Sequence, residues 1–171
     1  MSVKRLVTIA FIAAIQYVCF TSFTIVLYLE VITFITISFA MVFPRNDVVM
    51  ASVVFAIINM FTMGVNPWTF MYLLIYPLYS LIIASISSIL YKRFYLLVIL
   101  SGILSFLTGQ LVQIPFMLFS KNITIYYILA GLRVSIPQGL IAATVCYLLF
   151  KPLNIVLIKI KEKMYNYEKI T

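Results

Sequence analysis

Residues 68–93 read W-T-F-M-Y-L-L-I-Y-P-L-Y-S-L-I-I-A-S-I-S-S-I-L-Y-K-R, an apolar run with no charge from Trp68 to Tyr91, closed by Lys92 and Arg93 together. About 20 apolar residues in a helix cross the hydrocarbon of a bilayer, whereas a barrel strand needs about ten residues of alternating polarity. The run is too long and too continuous for such a strand, and lipid-facing backbone must satisfy its own hydrogen bonds. The stretch therefore predicts a membrane-spanning helix with its cationic end in the headgroups.

Five further runs read the same way: 6–24, 27–43, 48–63, 94–119 and 123–150. Pro44-Arg45-Asn46-Asp47, Gly64-Val65-Asn66-Pro67 and Ser120-Lys121-Asn122 break the chain between them, and Lys151-Pro152 follows the last. The fold predicted is an all-α integral membrane protein, one domain over 1–171, built as a compact bundle of six transmembrane helices. The basic amphipathic stretch 151–171 forms a cytoplasmic tail. The first run is longer than a usual signal-peptide core and ends in no small-residue cleavage site, so it is read as a helix that stays.

The composition agrees. The chain is 65% hydrophobic and 9% charged, against about a quarter charged in soluble domains. Its net charge of +8 is a topology signal and not a nucleic-acid footprint. Lys4, Arg5, Arg45, Lys92, Arg93, Lys151, Lys159, Lys161, Lys163 and Lys169 all fall on one side of a six-span bundle, against Lys121 on the other. The positive-inside rule makes the rich side cytoplasmic, which puts both termini of this multi-pass protein there.

Much chemistry is excluded. The chain has no histidine and only four acids, Glu30, Asp47, Glu162 and Glu168. It carries no P-loop, zinc-protease or nucleophile-elbow motif. No enzyme, metal site or cofactor is expected, and Cys19 and Cys146 read as small core residues.

The polar groups inside the runs are the candidate site. Arg133 lies about ten residues into the last run, where a charge is costly. Three accounts stay open: an ion pair with Glu30, contact with an anionic or carbonyl-bearing ligand, or snorkelling to the interface. Gln110, Gln113 and Gln138 read either as interhelical hydrogen bonders or as ligand contacts. Trp68, Tyr72, Tyr76 and Tyr127 read as an interfacial belt or as an aromatic platform for a flat ring. Pro115 and Pro137 are expected kinks. Small residues recur every fourth position in Ser80-Ala84-Ser88, Ser101-Ser105-Gly109 and Gly131-Ser135-Gly139-Ala143, which predicts close packing of the last three helices.

One more small pair, Ala10 and Ala14, stands in Thr8-Ile9-Ala10-Phe11-Ile12-Ala13-Ala14 just after Lys4-Arg5. With six runs, cytoplasmic ends, a basic tail and the stretches 68–77 and 107–115, the chain resembles the S component of energy-coupling factor (ECF) vitamin transporters. The resemblance implies a subunit that binds a small water-soluble vitamin or precursor from outside, mainly between its last three helices. It also implies docking through Ala10 and Ala14 on a membrane T component, which two cytoplasmic ATPases drive. Pyridoxine-like compounds and hydroxymethylpyrimidine suit the aromatics and amides best, with pantothenate a third candidate. The alternatives are a stand-alone proton-coupled carrier and a non-transporting membrane scaffold.

Overall fold

The computed structural model describes residues 2–23, 26 and 28–166, and among them every regular element is helical. The order is α1 (Val3–Phe23), α2 (Val31–Val42), α3 (Arg45–Met63), α4 (Pro67–Lys92), α5 (Phe94–Leu111), a 3-10 turn (Ile114–Leu118) and α6 (Lys121–Asn166). Five helical segments are long and apolar enough to cross a membrane: α1, α3, α4, α5 with its 3-10 extension, and α6.

The second run departs from expectation. Its helix has 12 residues, about 18 Å at 1.5 Å per residue and well short of the hydrocarbon thickness. Glu30 is the reason. Its backbone is extended and its carboxylate accepts from the Thr33 N–H, so it caps α2 part-way into the bundle. An acceptor at this position satisfies one of the orphan donors of a helix start and suits the positive end of the helix dipole. Eleven of the twelve α2 residues are buried. A helix apolar all round belongs in the interior, and the other helices surround this one.

The remaining helices pair around it. α1 and α4 lie against α3, whereas α5 lies against α6. The predicted tight triplet of the last three helices is therefore a pair, with α4 committed mainly to α3: Ser80 turns to Ser52 of α3, and Ser88 is exposed. Between α5 and α6 the stripes do meet. A Cβ on Gly139 would lie 2.8 Å from the Gly102 carbonyl, and one on Gly102 would lie 3.0 Å from the Gly139 carbonyl. Only glycine allows backbones this close.

Helix ends follow local chemistry. Asn66 caps α4 in a capping box with Thr69, and Pro67 occupies its first turn, where the missing N–H costs nothing. The fifth run does not continue as α-helix to 119. It leaves α geometry after Leu111 and passes through a 3-10 turn containing Pro115, which cannot donate to the helical ladder.

The basic tail is likewise not separate over 151–166; its residues 167–171 lie outside the described residues. α6 runs unbroken through Pro152 to Asn166, 46 residues in all. Past the proline it crosses the ends of three helices in turn, all on the Arg5–Asp47 side of the bundle. Asn154 Oδ1 accepts from Tyr91 of α4, Lys161 Nζ donates to the Val42 carbonyl at the end of α2 (2.8 Å), and Tyr165 donates to Asp47 of α3 (2.8 Å). Arg5 of α1 joins this end through a 2.7 Å ion pair with Asp47.

Candidate functional site

Two polar clusters of the described residues lie inside the bundle, one turn apart on α2, at Thr36 and at Thr33. The closed cluster links four helices. Gln16 Nε2 of α1 donates to Thr36 of α2 and to Ser52 of α3, each at 3.1 Å, and Ser52 shares a 2.7 Å bond with Ser80 of α4. All four side chains are fully buried. The Gln16 carbonyl and both polar atoms of the buried Asn59 have no partner among the described residues.

The open cluster surrounds Glu30 at the start of α2. Oε1 accepts from the Thr33 N–H (3.0 Å), the Thr33 hydroxyl (2.6 Å) and the Tyr76 hydroxyl (3.2 Å), while Oε2 accepts from Ser105 (2.6 Å). Thr108 extends the cluster, 3.4 Å from Thr33, and Gln138 Nε2 crosses from α6 to the Ser105 carbonyl at 3.1 Å. Hydroxyls from α2, α4 and α5 thus converge on a carboxylate at the level of residue 76 of α4, and the α6 amide braces one of them through the Ser105 backbone. That is about 14 Å in from the α4 N-terminus at 1.5 Å per residue.

Beside this cluster the bundle is hollow. A cavity of about 360 Å³ opens at the end opposite Arg5–Asp47, within the range of small-molecule sites. Cys19, Phe20 and Phe23 of α1 form one wall, and Tyr72 and Tyr76 of α4 another. Thr108, Gly109 and Gln113 of α5 face Gly131, Ser135 and Gln138 of α6. The segment before α2 closes the rest through Val26, Tyr28, Leu29 and Glu30. Non-helical backbone at membrane depth is tolerated where it lines a cavity, and this segment does so. Tyr28 sits there with φ +68°, a left-handed backbone that costs a non-glycine residue roughly 1–2 kcal/mol.

The structure brings Glu30, Tyr72, Tyr76, Gln113 and Gln138 together on this cavity. It places four other candidates elsewhere. Arg133 is exposed on the outer face of α6 and pairs with no carboxylate among the described residues. It is two positions from both Gly131 and Ser135, about 200° around a helix at 3.6 residues per turn. Of the three accounts of Arg133, the ion pair with Glu30 does not form, Glu30 being held by its own ring of hydroxyls, and Arg133's long stem is free to snorkel. Gln110 donates to Ser135 at 2.7 Å between α5 and α6, with its Oε1 buried and unpartnered. Trp68 and Tyr127 both pack on Phe116, with ring centroids 5.8 and 5.0 Å away, and both are exposed at the rim.

Sequence reasoning missed the hydroxyl partners. Thr33 stands three residues after Glu30, the spacing of a side-chain cap, and this signal was available. Ser105 and Ser135 were visible as members of small-residue stripes; their hydrogen bonding was not. Cys19 lines the cavity instead of sitting in the core, while Cys146 is fully buried.

Ala10 and Ala14 lie on the exposed face of α1, and Ile9, Ile12, Ala13 and Gln16 form its buried face. The two alanines leave a shallow outward groove one turn long, unused by internal packing. No protein family, no curated protein and no solved structure matches the chain.

Proposed function

We propose that this chain is a membrane-embedded solute-binding subunit of a bacterial vitamin importer, working as the S component of an ECF-type transporter. The observation that carries the reading is the cavity around Glu30. It is closed toward the basic end of the bundle, open at the other, and walled by aromatics and a few convergent polar groups. With the basic end cytoplasmic by the positive-inside rule, the cavity faces outward and receives solute from outside the cell. The solute is a small water-soluble vitamin or precursor: a pyridoxine-like compound, hydroxymethylpyrimidine or pantothenate.

Energy comes from partners in this reading, since the sequence has no nucleotide-binding motif. The outward groove at Ala10 and Ala14 supports docking on a T component, because small residues let another helix approach closely in lipid. Release inward then follows ATP hydrolysis by the two attached ATPases. A second reading, a proton-coupled carrier, draws on the carboxylate of Glu30 at the cavity wall.

Reconstituted uptake separates them. With T component and ATPases in proteoliposomes, uptake requires ATP. Ala10→Trp and Ala14→Trp abolish it while leaving solute binding by the isolated chain within about twofold, as surface substitutions do. Uptake that persists without ATP and follows an imposed pH gradient supports the carrier. Intact uptake by both tryptophan variants removes the docking role.

A further inference from the structure

The carboxylate at the cavity wall is unevenly satisfied. Its Oε1 accepts three hydrogen bonds and its Oε2 only one, from Ser105. An ionised carboxylate offers about four acceptor sites on its two oxygens, so the capacity left over is on Oε2. Gln138 adds a second acceptor. Its Nε2 is committed to the Ser105 carbonyl, and its Oε1 is turned toward Gly109, a cavity-lining residue, with no donor among the described residues.

Among the described residues nothing positive faces these acceptors: the cavity lining contains no lysine or arginine, and Arg133 is exposed and off the cavity. The positive end of α2 is already occupied by Glu30's own carboxylate. An anionic solute would enter a wall holding one carboxylate and no cation. A solute with N–H donors and a positive charge would complete Oε2 with a charge-assisted hydrogen bond. Its ring would meet Phe20, Tyr72 and Tyr76, whose centroids step 5.6 and 5.4 Å from one to the next. Aromatic faces attract cations as well as flat rings.

We infer that the cavity selects a small cationic ring solute, a heterocycle bearing an ammonium or amino group, with Glu30 as its counter-charge. This rests on the solute-binding reading above and narrows it: the acid among the three candidate solutes, pantothenate, is disfavoured.

Three probes sharing one ring decide the matter: pyridoxamine with an ammonium, pyridoxine with a hydroxyl, and 4-pyridoxate with a carboxylate. Each is titrated calorimetrically into the full chain in lipid nanodiscs, wild type and Glu30→Gln, alongside mass spectrometry of any compound that co-purifies. The expected order of affinity is pyridoxamine, then pyridoxine, then 4-pyridoxate. The spread between the ends should be at least about tenfold, the scale of one hydrogen bond to a charged group, and Glu30→Gln should collapse it. Tightest binding by 4-pyridoxate, or an unchanged order in a folded Glu30→Gln chain, overturns the inference and leaves the solute-binding reading standing. The wild-type order is decisive even where the variant fails to fold. Where none of the three binds, the charge of the co-purified compound decides: a cation supports the inference and an anion overturns it. No probe binding and no co-purified compound overturns the solute-binding reading itself.

Discussion

The two polar clusters share a helix and differ in what they leave open. Thr36 and Thr33 stand one turn apart on α2, yet one belongs to a buried junction of four helices and the other bonds Glu30 at a cavity wall. The closed cluster is neutral, made of an amide and three hydroxyls that bond one another. The open cluster is organised around a carboxylate, and its donors leave part of that group's capacity unused. Neutral amides and hydroxyls hold membrane helices together at modest energy. A carboxylate with spare acceptors, at the edge of an aromatic hollow, can take a further donor, and the solute-binding proposal rests on that. Under this proposal the difference separates scaffold from site within one small bundle.

That separation is open to mutation. The largest effect is expected from Glu30→Ala, which removes the cap of α2 and orphans the Tyr76 and Ser105 hydroxyls. The cost is about 2–4 kcal/mol of stability, from a lost cap plus unsatisfied buried donors, together with loss of solute binding. Thermal unfolding and titration in nanodiscs read both. Next is Gly139→Leu, which drives a side chain into the Gly102 carbonyl and parts α5 from α6 beside the open cluster. About 1–3 kcal/mol of overpacking strain is expected, and solute binding weakens because the Gln138–Ser105 bridge is displaced.

Gln16→Met sharpens the contrast. It strips the closed cluster of its hub and should cost about 0.6–1.7 kcal/mol, the measured scale of interhelical hydrogen bonds in lipid, with solute affinity unchanged. A fall in affinity as large as that of Gly139→Leu would show that the clusters are one unit. The smallest effect belongs to Arg133→Gln. Exposed and off the cavity, it should change stability by no more than about 0.5 kcal/mol and affinity by less than twofold. A tenfold loss would return Arg133 to the site.

Much of the fold was legible because lipid imposes a simple rule: long, continuous apolar runs become helices, and α1, α3, α4, α5 and α6 obey it. α2 escaped because Val26, Leu27 and Leu29 extend its apolar run while Glu30, a cap by chemistry, ends the helix. Pro152 misled in the opposite direction, since the bonds of Asn154, Lys161 and Tyr165 to the helix ends on the Arg5–Asp47 side hold α6 together past it. At the site, Glu30, Tyr72, Tyr76, Gln113 and Gln138 stood out as polar or aromatic groups at matching depth. Depth along a helix says nothing about azimuth, and Arg133 has the right depth and the wrong face. The converse holds for Ser105 and Gly109. Their importance depends on what α6 brings opposite them, which no local pattern encodes.

The central claim is that an open hollow reaches Glu30 from one end of the bundle. The chain's two cysteines test it without mutation, because Cys19 lines that hollow and Cys146 is sealed between helices. A charged, lipid-insoluble methanethiosulfonate reagent applied to the chain in nanodiscs should add one label, at Cys19, read by peptide mass spectrometry. An unlabelled Cys19, or labels on both cysteines at equal rates, would contradict the account.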